Sequence, residues 1–455
     1  MSRYVVAGVG LSGAASAKAL AAKGFDVVVY NRDDNADVDA LRPVADAVYT
    51  GEAIDASMLD GVDAVVVSPG IPPHHALPRA AASRGIEVFS EPELAWRLRG
   101  ADAAPWLAVT GTNGKTTTVT MLASILSAAG LRSRALGNIG QPLVEAVDGD
   151  YDVLAVELSS QQLHWSSRLT PRAGALLNLA DDHLSWHGDF DAYSQAKTAI
   201  WRGDTNVGNL DDALVTTLLE SAPGTHIGFT LGIPAVGQFG IADGSLLDHS
   251  GDTPVELCPV DEVNPPGLHN VANALAASAL ARSFGVPASA VRQGLRDYQP
   301  EPHRNVHIAT VAGVRYVDDS KGTNPHATAA AIAGYDRIVW IAGGQLKGVD
   351  VNQLVEAAAP RLRGVVALGA DRARIIEAAH SHAPGVPVVD IAGTDPEVMS
   401  EVVSAAARMA EPGDVVLLSP AGASYDMFTG YPDRGRRFAA AVATLDSTVS
   451  PRAAR

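Results

Sequence analysis

The sequence predicts an α/β protein built from three successive units with mainly parallel sheets. Three observations predict it. Short β-rich apolar runs alternate with Ala-rich helical patterns almost throughout, the signature of strand–helix–strand units. Two of the runs end in glycine-rich turns that open a helix. The 455 residues, 47% hydrophobic and 19% charged, supply material for two to four packed domains.

The first unit has the runs "YVVAG", "DVVVY", "AVVVSPG" and "IEVFS", and ends in the polar, proline-containing link "RLRGADAAP" at 97–105. The second opens with "WLAVTGTNGKTT" and continues through "DVLAVELSS" and "GALLNLADDH". It runs to "LRDYQPEPH", where Pro300 and Pro302 mark a linker. The third has "RYVDDS", "RIVWIAGG", "GVVALGA" and "DVVLLSPAGAS". Segment 203–262 is richer in Gly, Pro and Asp and less periodic, so short strands and loops are expected there. No internal repeat or low-complexity tract is present.

The net charge of −17 argues against a nucleic-acid partner, whose phosphates would be repelled. It leaves nucleotides open, because these are bound by local dipoles. One cysteine, Cys258, gives no disulfide framework and fits a reducing compartment. No apolar stretch reaches the length of a membrane span, and "MSRYVVAG" lacks a signal-peptide core. A cytoplasmic protein with no membrane partner is expected.

A strand, a glycine-rich turn and a helix place backbone N–H groups where a phosphate can sit. Gly111-Thr112-Asn113-Gly114-Lys115-Thr116-Thr117 has this arrangement, although the usual phosphate-loop spacing would need glycine at Val109. Lys115 would neutralise phosphates and the Thr116 hydroxyl would ligate Mg²⁺. A second loop, "GVGLSG" at 8–13, matches G-x-G-x-x-G. Alone it suggests NAD, but the second strand's apolar run ends at Tyr30, Asn31 follows, and Asp33 lies beyond the strand end. A diphosphate site is the better reading.

Glu157 ends one strand of the second unit, and Asp182 and His183 follow another, which places them at the crevice of a parallel sheet. Glu157 suits Mg²⁺; His183 could equally bind substrate. Lys197 lies on a helix capped by Asp189 or Asp191 and reads by itself as a solvated lysine. His303 and Arg304 sit at the last link, where an arginine could reach a transferring phosphoryl group. "DDSKGTN" at 318–324 follows a strand and reads as a strand-end loop.

GTNGKTT is similar to the ATP loop of the Mur ligases and the related folylpolyglutamate synthases. "GNIGQP" at 137–142, "ELSSQQL" at 157–163, "LNLADDHLSWHG" at 177–188 and "AYSQAK" at 192–197 resemble the D-glutamate-adding branch of the Mur ligases. So do "SPG" at 68–70, "GLHNVANALAA" at 267–277, "PHR" at 302–304, "AGGQLKGVD" at 342–350 and "LLSPAGASYDMF" at 417–428. The resemblance runs in order over nearly the whole chain. It implies a Rossmann-like N-terminal domain at 1–101 holding UDP of the sugar nucleotide. A central P-loop-type mononucleotide-binding ATPase domain follows at 102–300, then a Rossmann-like C-terminal domain at 301–455 holding the amino acid.

The activity implied is ATP-dependent addition of D-glutamate to UDP-N-acetylmuramoyl-L-alanine in peptidoglycan precursor synthesis, by a cytoplasmic monomer. Gly111 to Thr117 would bind ATP, with Asn270 and Asn273 near adenosine and Arg304 and Asp319 around the nucleotide. Thr116 and Glu157 would hold one Mg²⁺; His183 and a carbamylated Lys197 a second. Leu11, Ser12, Asn31, Ser68, Pro69 and Gly70 would meet the uridine nucleotide, and Asn138, Ser159 and Gln162 the muramoyl part. Lys321, Thr323, Lys347, Ser424, Tyr425 and Tyr431 would meet D-glutamate. The chain departs from the pattern at Asn31, Gln161, Ser185, Gly322, Tyr425 and Tyr431. An NAD-dependent dehydrogenase, a phosphate-loop switch and a sibling ligase adding another residue are the competing readings.

Overall fold

The computed structural model describes residues 2–300, 302–393 and 395–445. It has three sheets in two compact units, Met1–Val263 with Val271–Tyr298, and Asn264–Asn270 with Gln299–Arg455. The first unit holds two of the sheets. The first sheet consists of β1 (Arg3–Ala7), β2 (Asp26–Asn31), β3 (Ala47–Thr50), β4 (Ala64–Val67) and β5 (Glu87–Ser90). All its pairs are parallel, in the order β3-β2-β1-β4-β5. Its Val-rich runs are buried on both faces, which is why they are continuous rather than alternating. The loops after β1 and β4 therefore emerge side by side.

The second sheet begins with β6 (Trp106–Thr110), β7 (Ala135–Gly137), β8 (Leu154–Glu157) and β9 (Ala173–Leu176). It continues with β10 (Thr205–Asn209), β11 (Thr225–Phe229), β12 (Gln238–Ala242), β13 (Ser245–His249) and β14 (Val255–Pro259). The order is β14-β13-β12-β11-β10-β9-β6-β8-β7. Segment 203–262, expected as short strands and loops, supplies β10 to β14, and β12 to β14 pair antiparallel. Their hairpin turn at Asp243-Gly244, both in the left-handed region, is the reason. β6 lies between β9 and β8, with Val109 opposite Glu157 and Thr110 opposite Leu176. Chain order reverses there, so the crevice opens beside the loop after β6.

The third sheet, in the other unit, has β15 (Val306–Val311), β16 (Val314–Asp318), β17 (Ile338–Gly343), β18 (Leu362–Leu368), β19 (Val388–Ile391) and β20 (Val415–Ala421). Its order is β15-β16-β20-β17-β18-β19. Among the described residues, only the edge strand β15 is antiparallel in this sheet, and its half-exposed residues hid it in the sequence. Among the described residues, no helix is long and apolar enough to cross a membrane.

Candidate active site

Each sheet presents its expected residues at its C-terminal strand ends. After β6, the chain turns through Gly114, which has φ +82° and caps helix Lys115–Ala128. A Cβ there would lie 2.3 Å from Asn273 Oδ1, so the position needs glycine twice over. The first helical bond is Thr118 N–H to Gly114 O at 2.9 Å. A helix N-terminus of this kind stabilises an anion. Asn178 braces the loop, accepting from Asn113 N–H (2.8 Å) and donating to Asn113 O (3.1 Å). Lys115 Nζ lies over the loop, donating to Gly111 O (2.9 Å) and Thr112 O (2.8 Å). Thr117 is buried in the same first turn.

Thr116 and Glu157 meet directly. The Thr116 hydroxyl donates to Glu157 Oε2 at 2.7 Å, and Asn138 Nδ2 donates to Oε1 at 2.8 Å. This follows from register, since Gly137 and Val109 both lie opposite Glu157. A hydroxyl and a carboxylate in contact at a phosphate loop form a donor set that suits Mg²⁺. Among the described residues, no group of three or more His, Cys, Asp or Glu gathers as a metal cluster.

Lys197 is not a solvated lysine. It is 2% exposed, on helix Phe190–Thr198, which Asp189 caps through Ala192 N–H (2.8 Å). Its Nζ donates to Gly111 O at 2.7 Å and lies 4.9 Å from the Tyr193 ring centre. Burial, helped by the Lys115 charge, pushes its pKa well below the usual lysine value; Asp182 and Glu157 oppose this. Tyr193 OH is 2.8 Å from Thr112 Oγ1, fixing this helix to the loop. His183 begins the turn Leu184–His187 with φ +53°, half exposed, its Nε2 3.5 Å from Asp182 Oδ2. Ser159 and Gln162 form a reciprocal cap on helix Ser160–His164, so their side chains hold backbone N–H groups. Asn273 Oδ1 accepts from Thr118 Oγ1 at 3.2 Å.

In the first sheet, Gly8 has φ +83° and a Cβ on Gly13 would meet Gly8 O at 1.8 Å. Strand and helix thus approach as closely as backbones can, and the helix Leu11–Ala22 starts at Gly10. Ser68 Oγ donates to Gly8 O at 3.1 Å, joining the two loops, with Pro69 and Gly70 following. Leu11 is 69% exposed, and the Ser12 carbonyl accepts from Ser16. Asn31 closes β2 and donates to Asp33 O at 2.7 Å. That bond turns Asp33 past the strand end.

In the second unit, Asn270 Nδ2 donates to Pro266 O at 3.4 Å. The loops after β16, β17 and β20 leave one end of the third sheet. Gln345 and Ala423 exchange backbone hydrogen bonds of 2.8 and 2.9 Å, locking the loop of Lys347 to that of Ser424. Lys347 has φ +53°, Ser424 is buried, and Tyr425 is 72% exposed. Lys321 Nζ stands 3.9 Å from the Tyr431 ring centre, a cation–π contact. The Thr323 N–H bonds back to Lys321 O at 2.8 Å. Asp319 is pushed up to about 7 by burial, although the Ser419 hydroxyl (2.6 Å), the Arg304 charge and the Asn305 N–H (3.2 Å) pull it back. Gly322 faces this pair: a Cβ would lie 2.6 Å from both Asp319 Oδ2 and Ser419 Oγ.

Against known proteins, three family models match in order. They are a Mur ligase MurD-like N-terminal domain at 2–90, a Mur ligase middle domain at 109–281, and a Mur ligase glutamate ligase domain at 303–422. A UDP-N-acetylmuramoylalanine--D-glutamate ligase of Streptomyces coelicolor is 51% identical, covering 97% of each chain. That of Thermobifida fusca is 50% identical over 97% of this chain and 98% of its own. The chain belongs to the Mur ligase family. Among solved structures it is similar to a MurC of Thermotoga maritima, at TM-score 0.59 and 19% identity over 99% and 100% of the two chains. A pseudomurein peptide ligase of Methanothermus fervidus gives 0.59 and 18% over 98% and 100%. These two support the three-domain Mur ligase fold.

Sequence reasoning missed residues that this Mur ligase uses to set its loops. Arg434 is buried and donates to Ser320 Oγ (2.9 Å), Ser320 O (2.7 Å) and Gly422 O (3.1 Å). Burial lowers its pKa to about 10, against the pull of Asp426 and Asp318. It therefore ties the Lys321 loop to the Ser424 loop. Asp371 accepts from Leu346 N–H at 2.7 Å, beside Lys347. His187, pushed down to about 4 by burial and by His164, sits 3.0 Å from Ser160 Oγ. The one available signal was "RG" at 434–435, where a Cβ on Gly435 would collide with His303.

Proposed function

We propose that this chain ligates D-glutamate to the carboxylate of UDP-N-acetylmuramoyl-L-alanine, with ATP as the energy source, in peptidoglycan precursor synthesis. The observation that carries the reading is 51% identity, across 97% of both chains, to a ligase named for this reaction. A carboxylate does not react with an amine at neutral pH, because the leaving group would be oxide. Transfer of the γ-phosphoryl group to the carboxylate gives an acyl phosphate. The amine of D-glutamate then attacks the carbonyl, and inorganic phosphate leaves. The protein's task is positioning and charge neutralisation.

The first domain, 1–101, binds the uridine diphosphate at its glycine turn. The second, 102–300, binds the triphosphate on the loop 111–117, with Lys115 neutralising phosphate oxygens. The third, 301–455, binds D-glutamate through Lys321, Thr323, Lys347 and Ser424. Asn270, Asn273, Arg304 and Asp319 complete the nucleotide site. Thr116 and Glu157 hold one Mg²⁺, and His183 with Lys197 a second. Bound Mg²⁺ supplies Lewis-acid neutralisation of phosphate oxygens. The buried, pKa-lowered Lys197 amine fits carbamylation, since only an uncharged amine adds CO₂. The same reading has the enzyme acting as a cytoplasmic monomer.

The test is phosphate release with all three substrates and with each omitted, across a panel of amino acids. Release that needs the sugar nucleotide, ATP and D-glutamate together supports the reading. Efficient use of L-glutamate or a diamino acid, or turnover without any amino acid, would overturn it.

A further inference from the structure

Arg304 stands between two residues whose backbone is in the left-handed region, His303 at φ +66° and Asn305 at φ +54°. Neither is glycine, so both positions carry strain that persists only where the surroundings hold it. The surroundings here are Asp318, which ends β16, and Asp319, which follows it. His303 Nδ1 lies 2.6 Å from Asp318 Oδ2, and the Asn305 N–H donates to Asp319 Oδ1 at 3.2 Å. The Lys321 N–H donates to His303 O at 3.0 Å. Helix Tyr431–Leu445 closes over the His303–Asp318 pair: a Cβ on Gly435 would collide with the His303 ring and lie 2.6 Å from Asp318 Oδ2.

The remaining tie is made by a side chain. Asn305 is buried, and its Oδ1 accepts from the Tyr335 hydroxyl at 2.6 Å. Burial pushes the Tyr335 pKa up to about 12, so the phenol keeps its proton and is the donor. Tyr335 is itself held. Its carbonyl accepts from Arg361 at 2.7 Å, and the Arg315 guanidinium lies 5.6 Å from its ring centre. The other end of the Asn305 amide, Nδ2, is buried without a partner. Among the described residues, the bond to Tyr335 is therefore what orients this amide.

Arg304 contrasts with its neighbours. Its side chain is half-buried and makes no hydrogen bond or ion pair among the described residues; its charge acts on Asp319. A strained turn tied down on both sides thus presents one untied cation. Asparagine suits position 305 for two reasons. It tolerates the left-handed region better than most residues bearing a Cβ, and it brings an acceptor. Glycine would satisfy only the first.

We infer that Asn305 and Tyr335 are positioning residues for Arg304: their hydrogen bond holds the turn 303–305 in the conformation that presents the guanidinium. Without the bond the Asn305 backbone is freer to leave the left-handed region, and the base of the Arg304 side chain turns with it. The inference rests on the proposed reading, in which Arg304 serves the nucleotide during phosphoryl transfer. It adds two residues that act through Arg304 and not on a substrate.

The test uses the full chain, with kcat and the three KM values measured by phosphate release. Tyr335→Phe removes the donor and keeps the ring. Asn305→Gly removes the acceptor and keeps a backbone that allows positive φ. Each should lower kcat about five- to tenfold, the scale of one buried hydrogen bond, with all three KM values within about twofold of the wild type. Arg304→Ala should lower kcat about a hundredfold or more. Adding Tyr335→Phe to Arg304→Ala should change the residual kcat by less than about twofold, because no guanidinium is left to position. A merely structural role would repeat its loss in full in that background. A repeated loss, an unchanged kcat in the single variants, or a change confined to the D-glutamate KM through the Lys321 loop overturns the inference. Thermal midpoints check folding; should Asn305→Gly unfold, the Tyr335→Phe cycle decides alone. Wild-type kcat in Arg304→Ala is a separate result, and it overturns the placement of Arg304 in the functional reading together with the inference.

Discussion

Lys197 shows how a single residue changes meaning with its surroundings. In the sequence it sits on a polar helix and reads as solvated. In the fold the residue is 2% exposed and its Nζ donates to Gly111 O, beside the Lys115 charge. Both effects favour the neutral amine. A neutral amine can add CO₂ and become an anion, which a metal can then meet. Lys197→Ala should lower turnover by about two to three orders of magnitude, the scale of losing a preorganised charge at a transferring phosphoryl group. Added small carboxylates such as acetate should restore part of it. Full activity without rescue would reduce Lys197 to a packing residue. Gly322 belongs to the same scale: the missing Cβ makes room for the Asp319–Ser419 pair, so this departure from the family pattern is accommodated by contact.

The helix Glu91–Leu98 carries two buried carboxylates that look alike in the sequence and behave differently. Glu93 is fully buried and accepts from the N–H groups of Ser167, Arg168 and Leu169, and from Arg97 Nε at 2.9 Å. Glu91 accepts from Val144 N–H at 2.7 Å, but its other oxygen has no partner, and burial pushes it up to about 7. The sign is set by the raised value. In the unfolded chain Glu91 ionises near 4.5, so between about 4.5 and 7 the folded chain holds the extra proton. Stability from this group is full below that window and is lost as pH rises through it, by about 3 kcal/mol in all. Glu91→Gln keeps an acceptor for Val144 N–H and removes the charge. It should raise the thermal midpoint at pH 8 and leave it nearly unmoved at pH 4, below the window. An equal shift at both values would show that packing, not ionisation, is at stake.

Elements also decide what was legible. The parallel strands were readable because burial on both faces makes continuous apolar runs, as in "AVVVS" and "VVLLS". The glycine loops were readable because their backbone needs no other residue. β15 was not, since a half-exposed antiparallel strand lacks that signal, and for β12 to β14 short strands were expected but not their antiparallel pairing. Nor were Glu91, Glu93 and Arg434, whose partners lie 53, 76 and 114 residues away. The loops of the third sheet give an element-scale prediction. Lys347 and Ser424 sit on loops locked by the Gln345–Ala423 exchange. Lys347→Ala should raise the KM for D-glutamate at least tenfold, as loss of a charged hydrogen bond does, with little effect on the other two substrates. Equal rises for all three would remove Lys347 from the amino-acid pocket.

At the scale of the whole molecule, the question is why one chain carries two phosphate cradles. They lie on different sheets, and each is built by its own close contacts. The first depends on Gly8 and Gly13 touching through bare backbone, and on Ser68 from the neighbouring strand. The second depends on Gly114, Asn178 and the contact of Thr116 with Glu157. If one holds uridine diphosphate and the other the triphosphate of ATP, damage to each should be separable. Gly13→Ser places a side chain where Gly8 O lies, so it should weaken uridine diphosphate binding at least tenfold. Lys115→Ala removes a phosphate partner, so it should weaken ATP binding and abolish ligation while leaving uridine diphosphate binding intact. Calorimetric titration of both variants with both nucleotides decides it. A variant that loses both ligands while keeping its thermal midpoint would mean that the two cradles serve one bound molecule, as a dinucleotide enzyme would require.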